Sequence, residues 1–193
     1  VATPATYSGA IALAAASRIN TNVVGGNITI SGNITGNTIG LTVGGFGDTT
    51  ISGVIGTTTG TLTKDGIGTL TLSNSNTYTG ATTISAGTVK LGAAGGATNT
   101  PLGTTGGITT VALGARLDLN GFTLGTAEPL TLNGVGYGLG DFASGVLMNS
   151  NVTSVSYSGL ITLGSTGVLI KADSGNINLT AAGTISGATF ALT

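Results

Sequence analysis

Residues 51–92 decide the fold, and they read ISGVIGTTTGTLTKDGIGTLTLSNSNTYTGATTISAGTVKLG. Two segments of this stretch, TLTL at 69–72 and TVKL at 88–91, alternate strictly between a polar and an apolar residue. Alternation with a period of two is typical of a β-strand that buries one face. Glycine or serine follows each segment, so the stretch predicts short strands separated by tight turns.

The same pieces recur along the chain at a nearly constant spacing. The sequence Thr-Ile-Ser-Gly begins at Thr29, Thr50 and Thr184, and related strands begin at Gly68 and Gly87. The step from Thr29 to Thr50 and the step from Gly68 to Gly87 are each about 20 residues, which is a repeat length typical of solenoids. In a solenoid, stacked coils bury a continuous apolar column that one coil could not bury alone.

The fold prediction is therefore all-β: a single-stranded, right-handed parallel β-helix, or β-solenoid, with about nine coils of roughly 20 residues. Residues 25–193 are assigned to the parallel β-helix. Residues 1–24 are alanine-rich and off the pattern, and they are assigned to an N-terminal cap or joining arm. Residues 189–192 read as a strand, which predicts an open C-terminal coil. A β-sandwich is the competing fold, but it favours more aromatic core residues than the 4% found here.

Composition excludes several kinds of chemistry. Only 6% of the residues are charged, and histidine and cysteine are absent, so disulfides, thiolate metal sites and histidine bases are excluded. The five basic residues form no run, which argues against a nucleic-acid partner. No apolar stretch reaches the length of about 20 residues that a membrane helix needs, so we expect no membrane insertion by this segment.

The six acidic residues are scattered, and none is adjacent to another or two positions away. A glycosidase-like pair of carboxylates could still assemble from different coils, so an enzyme is kept as a disfavoured alternative. We therefore expect that the protein is not an enzyme and that it has no catalytic, cofactor-binding or metal site and no cofactor.

The repeated stretch resembles the autotransporter-associated β-strand repeat of bacterial autotransporter passenger domains. The matching pieces are LTK at 62–64, GTLTLS at 68–73, NTYTG at 76–80, TTI at 82–84 and AGT at 86–88. Residues 170–177 are similar, over fewer positions, to filamentous-haemagglutinin-like coils. The resemblance implies a β-helix, export and display outside the cell. It also implies structural roles for the motif residues Gly68, Thr69, Leu70, Leu72, Asn76, Tyr78, Gly80, Ile84 and Gly87.

Three further expectations concern individual side chains. Lys64 and Asp65 open a turn and are expected to form a solvated corner. Tyr78 is expected to pack against the edge of a coil with its hydroxyl in water. Arg116 and Asp118 lie two positions apart on one strand face, which predicts an exposed ion pair of little energetic value.

The functional expectation is an extracellular structural β-solenoid, a rod segment of a surface-displayed or self-assembling fibre. Low charge leaves the end coils poorly protected against association, so end-to-end self-association into a homopolymer, or continuation of a longer chain, is expected. The alternative is an adhesin passenger domain that binds host or matrix glycans or proteins as surface ligands. Either function places the chain outside the cell or at the bacterial cell surface.

Overall fold

The computed structural model describes residues 3–138, 143–180 and 185–187. In this part of the chain the regular structure consists of short strands, and none of it is a helix that could cross a membrane. The strands wind into eight stacked coils that form two eight-stranded parallel sheets and a less regular third face. The predicted parallel β-solenoid is therefore confirmed. Its right-handed sense stays a prediction, based on the general rule for parallel crossover connections.

The first sheet, called sheet 1, receives one strand from each coil. Its strands are β1 (Ala5–Tyr7), β4 (Asn27–Ile30), β7 (Asp48–Ile51), β10 (Thr69–Leu72), β12 (Thr88–Leu91), β16 (Arg116–Asp118), β18 (Leu147–Asn149) and β21 (Ile170–Ala172).

The second sheet, called sheet 2, also receives one strand from each coil. Its strands are β3 (Ser17–Thr21), β6 (Leu41–Gly45), β9 (Leu62–Lys64), β11 (Thr82–Ile84), β15 (Thr109–Val111), β17 (Leu130–Leu132), β20 (Ile161–Leu163) and β23 (Ile185–Ser186).

The third face is regular at both ends of the solenoid and irregular in the middle. The first three coils contribute β2 (Ile11–Ala12), β5 (Ile34–Thr35) and β8 (Ile55–Gly56), and the last two contribute β19 (Val155–Tyr157) and β22 (Ile177–Leu179). The fifth coil instead carries a small hairpin, β13 (Asn99–Thr100) and β14 (Gly103–Thr104). Among the described strands, this hairpin is the one antiparallel pair.

Coil length is regular except in two longer coils past the middle of the rod. Leu70 pairs with Thr49 in the coil before it and with Val89 in the coil after it, and each step is about 20 residues. Val89 then pairs with Leu117 and Leu117 with Leu147, and each of these steps is about 30 residues. The two long coils accommodate extra loops, and for this reason the chain forms eight coils where a constant period predicts about nine. At about 4.8 Å per coil, eight coils make a rod roughly 38 Å long.

The core is a set of inward-facing columns along the axis. Leu70, Val89, Leu117 and Leu147 follow one another in register in sheet 1, and all four side chains are fully buried. From the second coil on, the corresponding columns of sheet 2 are apolar except at three buried polar positions, Lys64, Thr82 and Thr109. Polar groups inside a narrow apolar column require hydrogen-bond partners, so these positions mark the interior sites described below.

The outer face of sheet 2 carries a threonine ladder. Six successive coils place a partly exposed threonine at the same register position, Thr42, Thr63, Thr83, Thr110, Thr131 and Thr162. β-Branched side chains suit a pleated surface, so the ladder stabilises the stacking of the strands without adding charge to this face.

Residues 1–24 contain a complete coil of the solenoid. β1, β2 and β3 pair in parallel with β4, β5 and β6 of the second coil. The assignment of this segment as a cap or joining arm stays a prediction, and the structure adds that the segment is itself wound as the first coil. Residue 184, which starts the third Thr-Ile-Ser-Gly copy, and residues 189–192, which predict an open C-terminal coil, lie outside the described residues.

Candidate functional site

The nine motif residues lie in and around the fourth coil. Leu70, Leu72 and Ile84 point inward and are fully buried, whereas Thr69 is partly exposed at the start of β10. The Thr69 amide donates a hydrogen bond to the Asp48 carboxylate of the previous coil at 2.7 Å. The apolar motif residues therefore lie in the core columns, and Thr69 joins its coil to the preceding one.

Two motif glycines lie where the backbone of one coil passes closest to the next. A Cβ atom on Gly68 would overlap the Gly47 carbonyl oxygen, far inside van der Waals contact. Gly87 has a φ of +68°, a backbone conformation that residues other than glycine rarely adopt. The third motif glycine, Gly80, lies at the opposite end of the coil, over the backbone of Gly60. The glycine spacing of the motif therefore follows from the close stacking of the coils.

Asn76 joins three coils from the inside of a turn. Its buried Oδ1 accepts a hydrogen bond from the Ile55 amide at 2.8 Å, and its Nδ2 donates to the Pro101 carbonyl at 2.6 Å. Its own backbone amide donates to the Thr100 carbonyl at 2.9 Å. This turn has no strand of the third face, so the asparagine side chain replaces the missing ladder hydrogen bonds.

Tyr78 is fully buried, so the expectation of a hydroxyl in water is wrong. Its hydroxyl lies 2.6 Å from the Thr82 hydroxyl, which in turn donates to the Leu102 carbonyl at 2.9 Å. Burial raises the pKa of the phenol well above its usual value. The Thr82 hydroxyl therefore supplies, inside the core, the hydrogen-bond partner that water would otherwise provide to Tyr78.

Lys64 is 2% exposed, so the expectation of a solvated corner is wrong for this side chain. Its Nζ donates to the carbonyls of Asp65 at 2.7 Å, Gly66 at 2.8 Å and Ala86 at 3.2 Å. Three acceptors satisfy all three ammonium protons and connect two successive corners. Burial nevertheless lowers the pKa of Lys64 to about 8.

Asp65, the neighbour of Lys64, pairs with a distant residue. Its carboxylate accepts from both terminal nitrogens of Arg18 at 2.7 Å, and this pair links the first coil to the third. The hydrogen bond from Arg18 lowers the pKa of Asp65 and raises the pKa of Arg18. Both side chains are partly exposed, so the pair fixes the orientation of the corner more than it stabilises the fold.

Glu128 is the second buried ionisable group of the interior, and it is only 1% exposed. Its Oε1 accepts from the Thr109 hydroxyl at 2.8 Å, whereas Oε2 has no hydrogen-bond partner among the described residues. The Tyr157 hydroxyl donates to the backbone carbonyl of Glu128. Burial raises the pKa of Glu128 to about 8, so the neutral carboxylic acid predominates at pH 7.

The expected ion pair between Arg116 and Asp118 is also wrong. Asp118 is buried and accepts hydrogen bonds from the Ser150 hydroxyl at 2.6 Å, the Ser150 amide at 3.1 Å and the Asn120 amide at 2.9 Å. Arg116 points elsewhere. Its Nε donates to the Thr88 hydroxyl at 3.0 Å, and its guanidinium carbon lies 5.9 Å from the centre of the Tyr137 ring.

Exposed apolar side chains form a ridge along one corner of the rod. The corners that lead from sheet 2 to sheet 1 in six successive coils carry Val24, Phe46, Ile67, Ala86, Leu113 and Tyr137. The five large side chains of this apolar ridge are between 56% and 80% exposed. An exposed apolar row that runs along several coils is a common mark of an interaction surface.

The apolar ridge is interrupted by a notch of about 330 Å³ at its fourth corner. That corner has three residues between β11 and β12, whereas the corners before and after it have four, and its tip carries only the methyl group of Ala86. The notch is lined by Ile67, Ala86, Gly87, Gly114, Arg116 and Tyr137. The shorter corner therefore creates a concave, mostly apolar site with one cation at its rim.

The described residues contain no group of three or more acidic side chains close enough to hold a metal ion. The buried carboxyls Asp118 and Glu128 each have partners inside their own coil or the adjacent coils. Both carboxyls therefore belong to the interior of the rod, and the surface notch is the candidate site for a ligand.

Residues 62–91 match the family model of the passenger-associated transport repeat. The chain contains an autotransporter passenger repeat. The passenger repeat and the β-solenoid together are features of a structural domain of an autotransporter passenger, and the repeat family implies a secreted or surface-exposed protein. Comparisons with curated proteins and with solved structures give no match.

The passenger repeat supplies half of the notch. Ile67, Ala86 and Gly87 lie within residues 62–91, and the other three lining residues come from the coils that follow. Lys64, inside the same segment, lies directly beneath Gly87, because a Cβ atom on Gly87 would lie 2.8 Å from the lysine Nζ. The passenger repeat therefore forms both the buried support of this corner and one wall of the notch.

Two residues of the interior and of the notch, Glu128 and Tyr137, are not among those predicted from the sequence. Glu128 precedes the inward residues Leu130 and Leu132 at two-residue spacing, so strict alternation would have placed its side chain inside the coil. Tyr137 lies in the long corner between β17 and β18, where alternation is lost and no local pattern identifies its contact with Arg116.

Proposed function

We propose that the chain is a rod segment of a surface-displayed or self-assembling extracellular fibre and that it has no catalytic role. One observation carries this proposal: both end coils leave their inward-facing apolar side chains only partly covered. These side chains are Ile11, Leu13 and Ile19 in the first coil and Ile170, Ile177 and Ile185 in the last. The equivalent positions in the middle coils are buried.

A further coil at either end would complete the burial. Among the described strands, β1, β2 and β3 each pair with a neighbour on one side only, and so do β21, β22 and β23. Unpaired strand edges next to half-covered isoleucines favour the addition of another coil with the same parallel register. That coil can come from a second copy of the chain, which gives a homopolymer, or from the continuation of a longer chain.

Electron microscopy and sedimentation velocity of the purified chain test the polymer. We expect filaments whose length increases with protein concentration. The variant Ile19→Lys places a charge at the half-buried end face and is expected to leave single rods about 38 Å long. Val24→Lys, at the exposed corner of the same coil, is the matched control and should polymerise normally. Dispersed single rods of the unmodified chain at every concentration would contradict the polymer.

Adhesion is the second candidate function, and the apolar ridge favours it. A row of exposed valine, phenylalanine, isoleucine, leucine and tyrosine side chains along six coils offers a surface ligand a long apolar strip. We propose that an adhesin would contact its ligand along this ridge.

Adherence of beads coated with the chain to cultured cells tests the second candidate. The double variant Ile67→Ser, Leu113→Ser removes two ridge side chains and is expected to reduce bead adherence at least about two-fold. Val152→Ser is the control, because Val152 is 83% exposed and lies away from the ridge. Equal adherence of beads with all three proteins would argue against an adhesive ridge.

A further inference from the structure

The notch has the shape and lining of a small ligand site. Its volume of about 330 Å³ lies at the lower end of the range of small-molecule pockets. Tyr137 is 71% exposed and Ile67 is 67% exposed, so both apolar walls are open to a ligand. A Cβ atom on Gly114 would meet no atom of the described residues within 4 Å, so they leave the space beside this glycine open.

The charge of the notch comes from Arg116. In the part of the chain that the structure describes, the other basic side chains are engaged with protein groups. Arg18 pairs with Asp65, Lys90 with Asp118 and Lys171 with Asp173, and Lys64 is buried against carbonyls. Arg116 contacts the Thr88 hydroxyl and the Tyr137 ring and has no acidic partner among the described residues. Charge complementarity therefore favours an anionic ligand.

The terminal nitrogens of Arg116 have no hydrogen-bond partner among the described residues, and a guanidinium can bind a planar carboxylate through two parallel hydrogen bonds. The guanidinium carbon lies 5.9 Å from the centre of the Tyr137 ring, within reach of a cation–π contact at the rim of the notch. Next to it, Tyr137 and Ile67 offer an open apolar surface. A ligand that fits both features carries a carboxylate beside a flat apolar face.

The backbone at this corner argues against a peptide as that ligand. The Arg116 amide donates to the Gly87 carbonyl at 3.0 Å and the Ala115 amide donates to the Ala112 carbonyl at 3.0 Å. An extended peptide needs a free strand edge for its main-chain hydrogen bonds, and these corner amides are already paired. A sugar ring instead uses its C–H face on an aromatic wall and leaves its hydroxyl groups in water, as a shallow, open notch allows.

We propose that the notch binds an acidic saccharide, with the sugar carboxylate on Arg116 and the pyranose face against Tyr137 and Ile67. The apolar ridge continues on both sides of the notch, with Phe46 before it and Leu113 beside it, so neighbouring sugars of a chain would follow the rod axis. The proposal rests on the second candidate function, adhesion, and names the chemical class of its ligand.

Calorimetric titration of the full chain with hexagalacturonate tests the proposal, with maltohexaose as the neutral sugar of equal length. We expect binding of the acidic hexamer alone. Arg116→Gln and Tyr137→Ala should each raise the Kd at least about ten-fold. Ala86→Phe keeps both residues but fills the notch, and it should abolish binding. Lys171→Gln, which removes one positive charge from the last coil, should bind as the unmodified chain does.

Several results would overturn the proposal. Equal binding of maltohexaose would remove the role of the carboxylate, and equal weakening by Lys171→Gln would show non-specific charge attraction. Failure of Ala86→Phe to affect binding would place the sugar elsewhere. Conversion of filaments to single rods by Tyr137→Ala, without saccharide binding, would assign the notch to a second copy. If ridge variants reduce bead adherence while hexagalacturonate does not bind, adhesion stands and the acidic saccharide is wrong.

Discussion

The passenger repeat and the two coils that follow it stack on the same solenoid but differ in coil length and in the structure of their turns. The step from Leu70 to Val89 is about 20 residues, with glycine corners and a turn held by Asn76. The following steps, to Leu117 and then to Leu147, are each about 30 residues. Those longer coils carry extra loops, the buried carboxyls of Asp118 and Glu128, and the tyrosine of the notch.

The difference shows where each region places its polar groups. In the passenger repeat, the buried Lys64, Asn76 and Tyr78 side chains all have hydrogen-bond partners. In the long coils, Glu128 is buried with one carboxyl oxygen unpartnered among the described residues. The buried polar side chains of the passenger repeat are therefore fully hydrogen-bonded. The later coils are less stable at Glu128, and their longer loops form a surface site.

The largest expected effect separates two tyrosines, one from each region. Tyr78→Ala empties a fully buried site of the passenger repeat and is expected to lower the free energy of unfolding by about 3–5 kcal/mol. Tyr137→Ala, at an exposed site of the long coils, should change it by no more than about 0.5 kcal/mol. Urea unfolding monitored by circular dichroism measures both values.

Tyr78→Phe sharpens the comparison, because it keeps the ring and removes only the hydroxyl that contacts Thr82. Its expected cost is about 1 kcal/mol, the usual value of one hydrogen bond. A loss for Tyr78→Ala no greater than that for Tyr137→Ala would contradict the tight packing assigned to the passenger repeat.

The second expected effect concerns Glu128, whose carboxyl has one oxygen without a partner among the described residues. Its pKa is about 8 in the folded chain, against 4.5 for an ordinary glutamate. Below pH 4.5 both states hold the proton and the fold keeps its full stability. As the pH rises to about 8, the unfolded chain has lost this proton and the folded chain still binds it, so the free energy of unfolding falls. Glu128→Gln should remove this decline and stabilise the chain by about 2 kcal/mol at pH 8.

Urea unfolding of the two proteins at a series of pH values between 4 and 9 checks this expectation. Asp173→Asn serves as the control, because Asp173 is partly exposed and pairs with Lys171 at the surface. Parallel pH profiles for the unmodified chain and Glu128→Gln would show that the carboxyl does not control this stability range.

Sequence patterns predicted the regular parts of the fold and missed those that depend on contacts between coils. Leu70 and Leu72 could be placed in the core because alternation alone decides which face of a strand is buried. Burial of Lys64 could not be predicted, because one of its acceptors, the Ala86 carbonyl, belongs to the next coil. The notch was missed for a similar reason: it depends on the relative length of adjacent corners, which a constant period conceals.

The third expected effect comes from Lys64, the buried cation of the passenger repeat. Lys64→Met keeps an unbranched side chain but leaves three corner carbonyls without their donor, so at pH 7 we expect a loss of about 1.5 kcal/mol. Urea unfolding measures the change. A more stable variant would show that burial of the ammonium costs more than its three hydrogen bonds return.

Lys64 also gives the passenger repeat a pH dependence opposite to that of the long coils. Its pKa is about 8 in the folded chain and 10.5 in the unfolded reference. Between these values the unfolded chain holds the additional proton, so the free energy of unfolding rises with pH. Together with Glu128, this predicts a minimum of stability near pH 8, and Lys64→Met should remove only the rise above the minimum. A rise that persists in the variant would refute the assignment to Lys64.

The smallest expected effect belongs to Lys90, one partner of a weak ion pair between the passenger repeat and the following coil. Lys90 Nζ lies 3.9 Å from the buried Asp118 carboxylate, and the lysine side chain is 37% exposed. Lys90→Ala should therefore change the free energy of unfolding by no more than about 0.5 kcal/mol. Asp118→Ala removes the acceptor of three hydrogen bonds, one from Asn120 and two from Ser150 of the next coil, and should cost about 2 kcal/mol. Urea unfolding of both variants and of the double variant gives the coupling energy. A coupling near the full cost of Asp118→Ala would mean that the ion pair, and not the contacts to Ser150 and Asn120, holds this carboxylate in place.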